Sequence, residues 1–289
     1  MKKVAIITNF NIKEKADAAC SVAEKIAPFC SEIAISSAYK EKIFRMRRHR
    51  SEFAYKSAEE LYEGVDMVIV LGGDGFMLEA ARRASVEDVP ILGINLGRVG
   101  YMTELELDEL DLIEQVFAGE YMIDERAMLS VEVVSRSGNK KAESYALNEA
   151  VVANGTTARI IDLELSDNGV LVSDFRADGL VIATPTGSTA YSLSAGGPIV
   201  DPKLSCFCVT PICPHSLLAR PLVFPDTARL EVKNICVREK VLHLTLDGRV
   251  NYDLYYGDTA VITKSKLTTK LIRVKERSFY SKIRTKKFL

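Results

Sequence analysis

Over the first 117 residues, short unbroken apolar runs alternate with stretches in which apolar residues recur every three or four positions. The run 67–71, rich in β-branched residues, predicts a strand buried on both faces of a parallel sheet; 89–95 reads as another buried strand, 2–8 as a strand, and 33–35 as the short run that completes a β-α-β start. Ile12, Ala16, Ala19, Ala23, Ile26 and Ala27 fall at helical spacing; 78–84 reads as a short helix and 107–117 as an amphipathic one. This rhythm predicts a doubly wound α/β sheet, whose ligands bind beyond the carboxyl ends of the strands. The segment 40–56, KEKIFRMRRHRSEFAYK, is basic and lacks a clean period. It reads as a solvated loop, with the alternative that Arg45, Arg47, Arg48 or Arg50 reaches a phosphate.

From about Arg126 the texture changes to strand-like runs separated by turn signals: 127–135, 145–153, 159–166, 206–211, 228–235, 241–246 and 259–264. Asp167-Asn168-Gly169 is a strong hairpin signal. A small-residue stretch at 192–198 predicts a turn or short helix, closely packed. The expected organisation is an α/β domain over 1–125 and an all-β domain of sandwich type over 126–270, with 271–289 packing back on the first.

Composition narrows the function. With 289 residues, 47% hydrophobic and 27% charged, the chain has the make-up of a soluble globular protein. A net charge of -1 gives no general attraction to nucleic acid or to an acidic membrane. The basic segment 279–288 has no interleaved aromatics of the stacking kind and reads as solvated surface. No apolar run approaches the length of a membrane helix, and Lys2 and Lys3 lead directly into a strand rather than a signal peptide. Cys20, Cys30, Cys206, Cys208, Cys213 and Cys236 sit in apolar segments with no CxxC pair or nearby histidine, so they are expected as buried free thiols of a cytoplasmic protein rather than as a metal site.

Chemistry concentrates at three places. The apolar run 67–71 ends in Gly72, Gly73, Asp74 and Gly75 before a helical pattern begins. Three glycines at such a turn allow close approach of a ligand and direct N–H groups at an anion. The turn is neither GxxxxGK[ST] nor GxGxxG, since Leu78 stands where the third glycine would be. Asp74 as a helix N-cap is the bland account; the sharper one makes its carboxylate the proton acceptor for a hydroxyl attacking a phosphoryl group, with Mg2+ on the donor's phosphates offsetting the repulsion. Asn148-Glu149 follows a strand pattern and offers an amide and a carboxylate to a ribose or purine, although such a pair is by itself a weak signal. The stretch 178–200, DGLVIATPTGSTAYSLSAGGPIV, gathers hydroxyls around Pro185 and Gly187 and adds Tyr191, a set suited to ribose and phosphate oxygens.

These stretches, LGGDG at 71–75, LNEAVV at 147–152 and 178–200, together with LGINLGRVGYMTE at 92–104, TPICPHSLLARPLV at 210–223 and SFYSKIR at 278–284, resemble the NAD kinases over nearly the whole chain. The resemblance implies a Rossmann-like α/β N-terminal domain and an all-β, sandwich-like C-terminal domain. It implies transfer of a phosphoryl group from ATP, or from polyphosphate, to the 2′-hydroxyl of the adenosine ribose of NAD, giving NADP. By the family's motifs Asp74 is the catalytic aspartate, Gly72 and Gly73 form the donor turn, and Gly75 lies against the nucleotide. Tyr101, Asn148, Glu149, Asp178, Thr186, Thr189, Ala190, Tyr191 and Ser194 match positions that bind NAD. The family assembles as dimers or tetramers, and a neighbouring subunit often completes the site. Phe76 stands where threonine is usual, and Arg249 where glutamine is common. A lipid kinase of the diacylglycerol type, which shares the GGDG turn, and a non-catalytic NAD sensor are the rival readings.

Overall fold

The computed structural model describes residues 1–45, 52–97, 100–155, 159–239, 241–276 and 279–285. Arg47, Arg48 and Arg50 of the basic segment lie outside the described residues, as does Ser278. The chain divides into two compact units, Met1–Glu125 with Thr268–Leu289, and Arg126–Leu267.

The first unit contains strands β1 (Lys2–Ile7), β2 (Cys30–Ser36), β3 (Ala54–Lys56), β4 (Met67–Leu71), β5 (Ile91–Asn95) and β6 (Leu105–Glu106). Its helices are α1 (Lys13–Ile26), α2 (Lys40–Arg45), α3 (Asp74–Ala84) and α4 (Ile113–Ala118). The strands run β5-β4-β1-β2-β3, all pairs parallel, with β6 parallel to β5 and Leu271 paired to Ile91. Every residue of β4 and β5 is buried, as expected for strands covered on both faces. In α3 the buried residues Met77, Ala80, Ala81 and Ala84 fall three or four apart, so one stripe meets the sheet while Arg82 and Arg83 close the last turn. The strand order reverses between β1 and β4, the switch point at which doubly wound sheets bind ligands beyond the carboxyl ends of their strands.

Three details differ from the sequence expectation. The basic segment is not all loop: it begins in α2 and ends in β3, which pairs with β2. The helix expected at 78–84 begins at Asp74, and 107–117 is a 3-10 turn, Leu107–Leu112, followed by α4.

The second unit holds most of β7 (Met122–Val134), then β8 (Lys140–Ala146), β9 (Glu149–Ala153), β10 (Ile161–Asp167), β11 (Val170–Ala177), β12 (Gly179–Ala183), the short helix α5 (Tyr191–Ser194), β13 (Cys206–Ile212), β14 (Leu222–Pro225), β15 (Leu230–Asn234), β16 (Val241–Leu246), β17 (Val250–Tyr255) and the start of β18 (Thr259–Arg273). One antiparallel sheet runs β14-β13-β12-β9-β16-β17; β11, β10, β15 and the first part of β18 pair antiparallel in another. Leu163, Leu165, Leu230 and Val232 of the latter pack with Leu180, Ile182, Val209 and Leu244 of the former in one core, the arrangement of a sandwich. Val151, Val181 and Cys208 point the other way into a smaller cluster with Val200, which buries the second face of β9, β12 and β13. Asn168 and Gly169, both at positive φ, turn the β10–β11 hairpin as their sequence predicts. The apolar run at 145–153 is broken at Leu147-Asn148, which ends β8 and starts β9 as separate strands. Of the cysteines, Cys20, Cys30, Cys208 and Cys236 are buried, Cys206 is half-buried and Cys213 is exposed, so burial does not extend to all six.

Candidate functional site

In the first unit the site begins where β4 stops. Gly73 is the N-cap of α3 and contributes no side-chain bond, so Asp74 is the first helical residue and not the cap. Its carboxylate faces a loop: Oδ2 accepts the backbone N–H of Tyr101 and Oδ1 that of Met102, each at 3.0 Å. Gly100 makes this possible, because a Cβ there would stand 2.5 Å from Asp74 Oδ1 and 2.8 Å from Thr103 Oγ1. Two backbone donors on one half-buried carboxylate hold it in a single orientation beside the glycine turn. The N–H of Gly72 is bonded to the carbonyl of Ile94 at 2.9 Å, so it closes the sheet and is not a donor for a ligand. Gly75 is exposed. The Tyr101 hydroxyl is pushed above its ordinary pKa by burial, and then by the negative charge of Asp74.

Beside α3, past the carboxyl ends of β1 and β2, lies a cavity of about 320 Å³ lined by Thr8, Asn9, Asn11, Tyr39, Phe76 and Arg83 among others. The Phe76 ring packs against the backbone of Gly72, with Cδ2 2.9 Å from where a Cβ would be, and Lys15 Nζ stands 4.7 Å from its centroid.

In the second unit the site is a clamp on the β8–β9 corner. Asp247, at φ 49, sits in the turn between β16 and β17 and accepts the N–H groups of Leu147, Asn148 and Glu149 at 2.8, 2.8 and 3.1 Å. Thr184 Oγ1 donates to the Leu147 carbonyl at 2.6 Å, and the Thr184 N–H reaches the Asn148 carbonyl at 2.9 Å. Gly187 then passes so close that a Cβ would lie 2.1 Å from the Asn148 carbonyl oxygen. With the backbone of the corner engaged, Asn148 and Glu149 are each 7% exposed, and Asn148 Oδ1 and Glu149 Oε2 have no hydrogen-bond partner. Burial, and then the negative charge of Asp247, push the Glu149 carboxyl up to about 7, although it accepts the N–H of Tyr191. Buried polar atoms are almost always paired, so two adjacent orphaned acceptors mark a place prepared for donors from outside the chain.

The remaining expected residues divide. Thr186 is buried beside this corner and accepts from Arg126 Nη1 at 3.3 Å; Thr189 Oγ1 is bonded to the Thr186 carbonyl at 3.3 Å. Ala190 and Tyr191 lead into α5, where Tyr191 and Ser194 are exposed. Asp178 is not brought to this group: it is exposed at the opposite end of β12, roughly 20 Å along the strand from Thr184. Arg249 is exposed after the Asp247-Gly248 turn. Asp247, Arg126, Gly100 and Gly187 were not among the expected site residues. Asp247 had a visible signal, an Asp-Gly turn between two strand patterns, and Gly187 stood at the hydroxyl-rich bend.

Residues 4–121 match the family described as ATP-NAD kinase N-terminal domain, and 147–274 the ATP-NAD kinase C-terminal domain. The NAD kinase of Citrifermentans bemidjiense is 40% identical over 99% of this chain and 98% of its own length; that of Geotalea daltonii is 38% identical over 99% and 98%. A crystal structure of an NAD kinase from Archaeoglobus fulgidus in complex with ATP matches at TM-score 0.70 and 26% identity, covering 99% of both chains. Yeast NADH kinase complexed with NADH shares the fold at TM-score 0.88 and 24% identity, over 98% of this chain and 86% of that one. Neither a lipid kinase nor a non-catalytic sensor is favoured by these matches. Among the described residues no helix is long and apolar enough to cross a membrane. The chain belongs to the NAD kinase family, phosphotransferases that convert NAD to NADP.

Proposed function

We propose that this chain transfers the terminal phosphoryl group of ATP to the 2′-hydroxyl of NAD with Asp74 as proton acceptor and the Asn148-Glu149 corner as the holder of the adenosine ribose. The observation that carries the reading is the pair of buried, unpartnered acceptors, Asn148 Oδ1 and Glu149 Oε2. Hydroxyl groups and an exocyclic amine are the donors such atoms need. Thr186, Thr189, Ala190, Tyr191 and Ser194 complete the NAD contacts, Gly75 and Tyr101 those next to Asp74, and Gly72 and Gly73 shape the donor turn. Phosphoryl transfer asks mainly for positioning and charge neutralisation, and Asp74 needs only to take one proton from a hydroxyl already held.

Among the described residues no cluster of three or more His, Cys, Asp or Glu forms a cage for a metal. Mg2+ would arrive on the nucleotide phosphates, where it needs few protein ligands. The ion would neutralise charge on the transferred phosphate, and the Asp74 carboxylate at the glycine turn is the side chain that would face it. The reaction runs in the cytoplasm. The test is incubation of purified protein with ATP, Mg2+ and NAD: NADP is expected, and its absence with every donor overturns the reading.

The cavity beside α3 is the place for the donor's nucleoside. Its aromatic side chains, Tyr39 and Phe76, suit a base, which inorganic polyphosphate lacks. Replacing Phe76 by alanine removes the ring over Gly72 and is expected to raise the KM for ATP by about tenfold while leaving that for NAD within about twofold. An unchanged KM for ATP places the nucleoside elsewhere.

Asp178 is taken to serve an NAD bound to a second copy in a homodimer or homotetramer, since its own corner is out of reach. Leu217 and Leu218, 89% and 85% exposed, are apolar surface available to such an assembly. Mixing inactive Asp178→Ala and Glu149→Ala subunits is expected to restore roughly a quarter of the turnover in a dimer, because half the sites of each mixed dimer are intact. No recovery after subunit exchange puts Asp178 outside the site.

A further inference from the structure

Asp74 is oriented by a loop, and the loop is itself held by a residue far along the chain. Met102 spends its N–H on Asp74 Oδ1, while its carbonyl accepts from Arg273 Nη1 at 3.0 Å. The same nitrogen reaches the Thr103 carbonyl at 3.4 Å and Glu104 Oε2 at 3.2 Å, and Nε donates to Asp124 Oδ2 at 3.1 Å. Glu104 returns the contact: its Oε1 accepts the N–H groups of Val274 and Lys275 at 3.0 and 2.8 Å. Arg273 is 9% exposed and Glu104 5%. A buried pair of this kind contributes little net stability against an apolar replacement, but it fixes one arrangement when its hydrogen bonds are all made.

We propose that Arg273 is a positioning residue for phosphoryl transfer, acting through the Met102 peptide groups to aim the N–H that holds the Asp74 carboxylate. This rests on the reading of Asp74 as proton acceptor. The guanidinium suits the task because its planar fork reaches two carbonyls and two carboxylates at once, which a lysine ammonium cannot reproduce. Without Arg273 the loop would keep its N–H bonds to Asp74 and the bond from the Glu104 N–H to the Gly93 carbonyl, 2.8 Å, but the Met102 carbonyl would lose the fixed partner that sets the tilt of this backbone, and a small displacement of a reacting group is costly in rate.

The test is Arg273→Lys, with Ile272→Ala as a matched control on the same strand. Ile272 is fully buried in the apolar core, so its truncation lowers thermal stability without touching the loop. Arg273→Lys is expected to lower kcat by about tenfold with the KM for NAD and for ATP within about twofold. Ile272→Ala is expected to keep kcat when assayed well below its melting temperature. In the double variant Asp74→Asn with Arg273→Lys, turnover is expected to equal that of Asp74→Asn alone, since both act on one chain of contacts. Equal loss of kcat in the control, or losses that multiply in the double variant, overturns the proposal. Near-full turnover in Asp74→Asn instead overturns the reading of Asp74 itself. If Arg273→Lys does not fold, Arg273→Gln carries the same comparison with the same expected outcomes.

Discussion

Asp74→Asn is expected to lower kcat by about 10²–10⁴-fold, the span attributed to a positioned general base, while the protein stays folded. The carboxylate has two jobs, and the substitution separates them. As an anchor it accepts two N–H groups, from Tyr101 and Met102. Asparagine keeps one acceptor oxygen and turns an amide NH2 toward the other donor, which costs about 1–3 kcal/mol for a charge-assisted bond lost. Spread over a chain of this size, such a loss moves the melting temperature by several degrees, not tens. As a proton acceptor, the amide is useless. The helix start does not depend on this side chain either, because the N-cap is Gly73. Steady-state kinetics with saturating ATP and NAD, paired with a thermal melt, reads both effects. Turnover within tenfold of the parent would remove Asp74 from the chemistry, and global unfolding would make it an anchor first.

What could be read in the sequence was what depends on local pattern. The run Met67–Leu71 announced a strand covered on both faces, and β4 is that strand, with every residue buried. Asn168-Gly169 announced a hairpin whose backbone demands positive φ, and both residues adopt it. Short elements that owe their form to a neighbour were hidden. The strand β3 is three half-buried residues, Ala54–Lys56, without an apolar run, and exists by pairing with β2. The strand β18 is one element of 15 residues, but its middle, with Lys264, Lys266 and a pair of threonines, breaks the apolar signal and separated 259–264 from the segment that begins at 271. At the site the same limit applies. Asn148 and Glu149 were visible as a motif, yet the clamp that strips them of alternatives comes from Asp247, about a hundred residues away. Gly100 belongs to the same class: its need for no side chain arises only because Asp74, from another element, occupies that space.

Glu149→Gln is expected to make the ligand-free protein more stable above pH 7 and at the same time to weaken its hold on NAD. The carboxyl titrates at about 7 in the folded chain, against an ordinary value of 4.5. Because the folded value is the higher one, the group favours folding while protonated, below pH 4.5, and that contribution is lost as pH rises to 7. The shift corresponds to roughly 3 kcal/mol between the two limits. Glutamine carries no charge to bury beside Asp247, so the variant should show little of this slope, and the gap between the two proteins should widen from pH 5 to pH 8. Binding moves the other way. A carboxylate accepting ribose hydroxyls makes charge-assisted bonds, and their weakening to neutral ones is expected to raise the KM for NAD by about 10–100-fold with a smaller change in kcat. Denaturant melts across the pH range and the KM for NAD measure the two halves separately. Parallel stability curves would mean that Glu149 is not strained in the empty site; an unchanged KM would mean that NAD does not use the acceptor left open there. Both shifts together make the strain and the binding two aspects of one arrangement, in which Asp247 holds the corner rigid and thereby raises the cost of the charge that NAD then compensates.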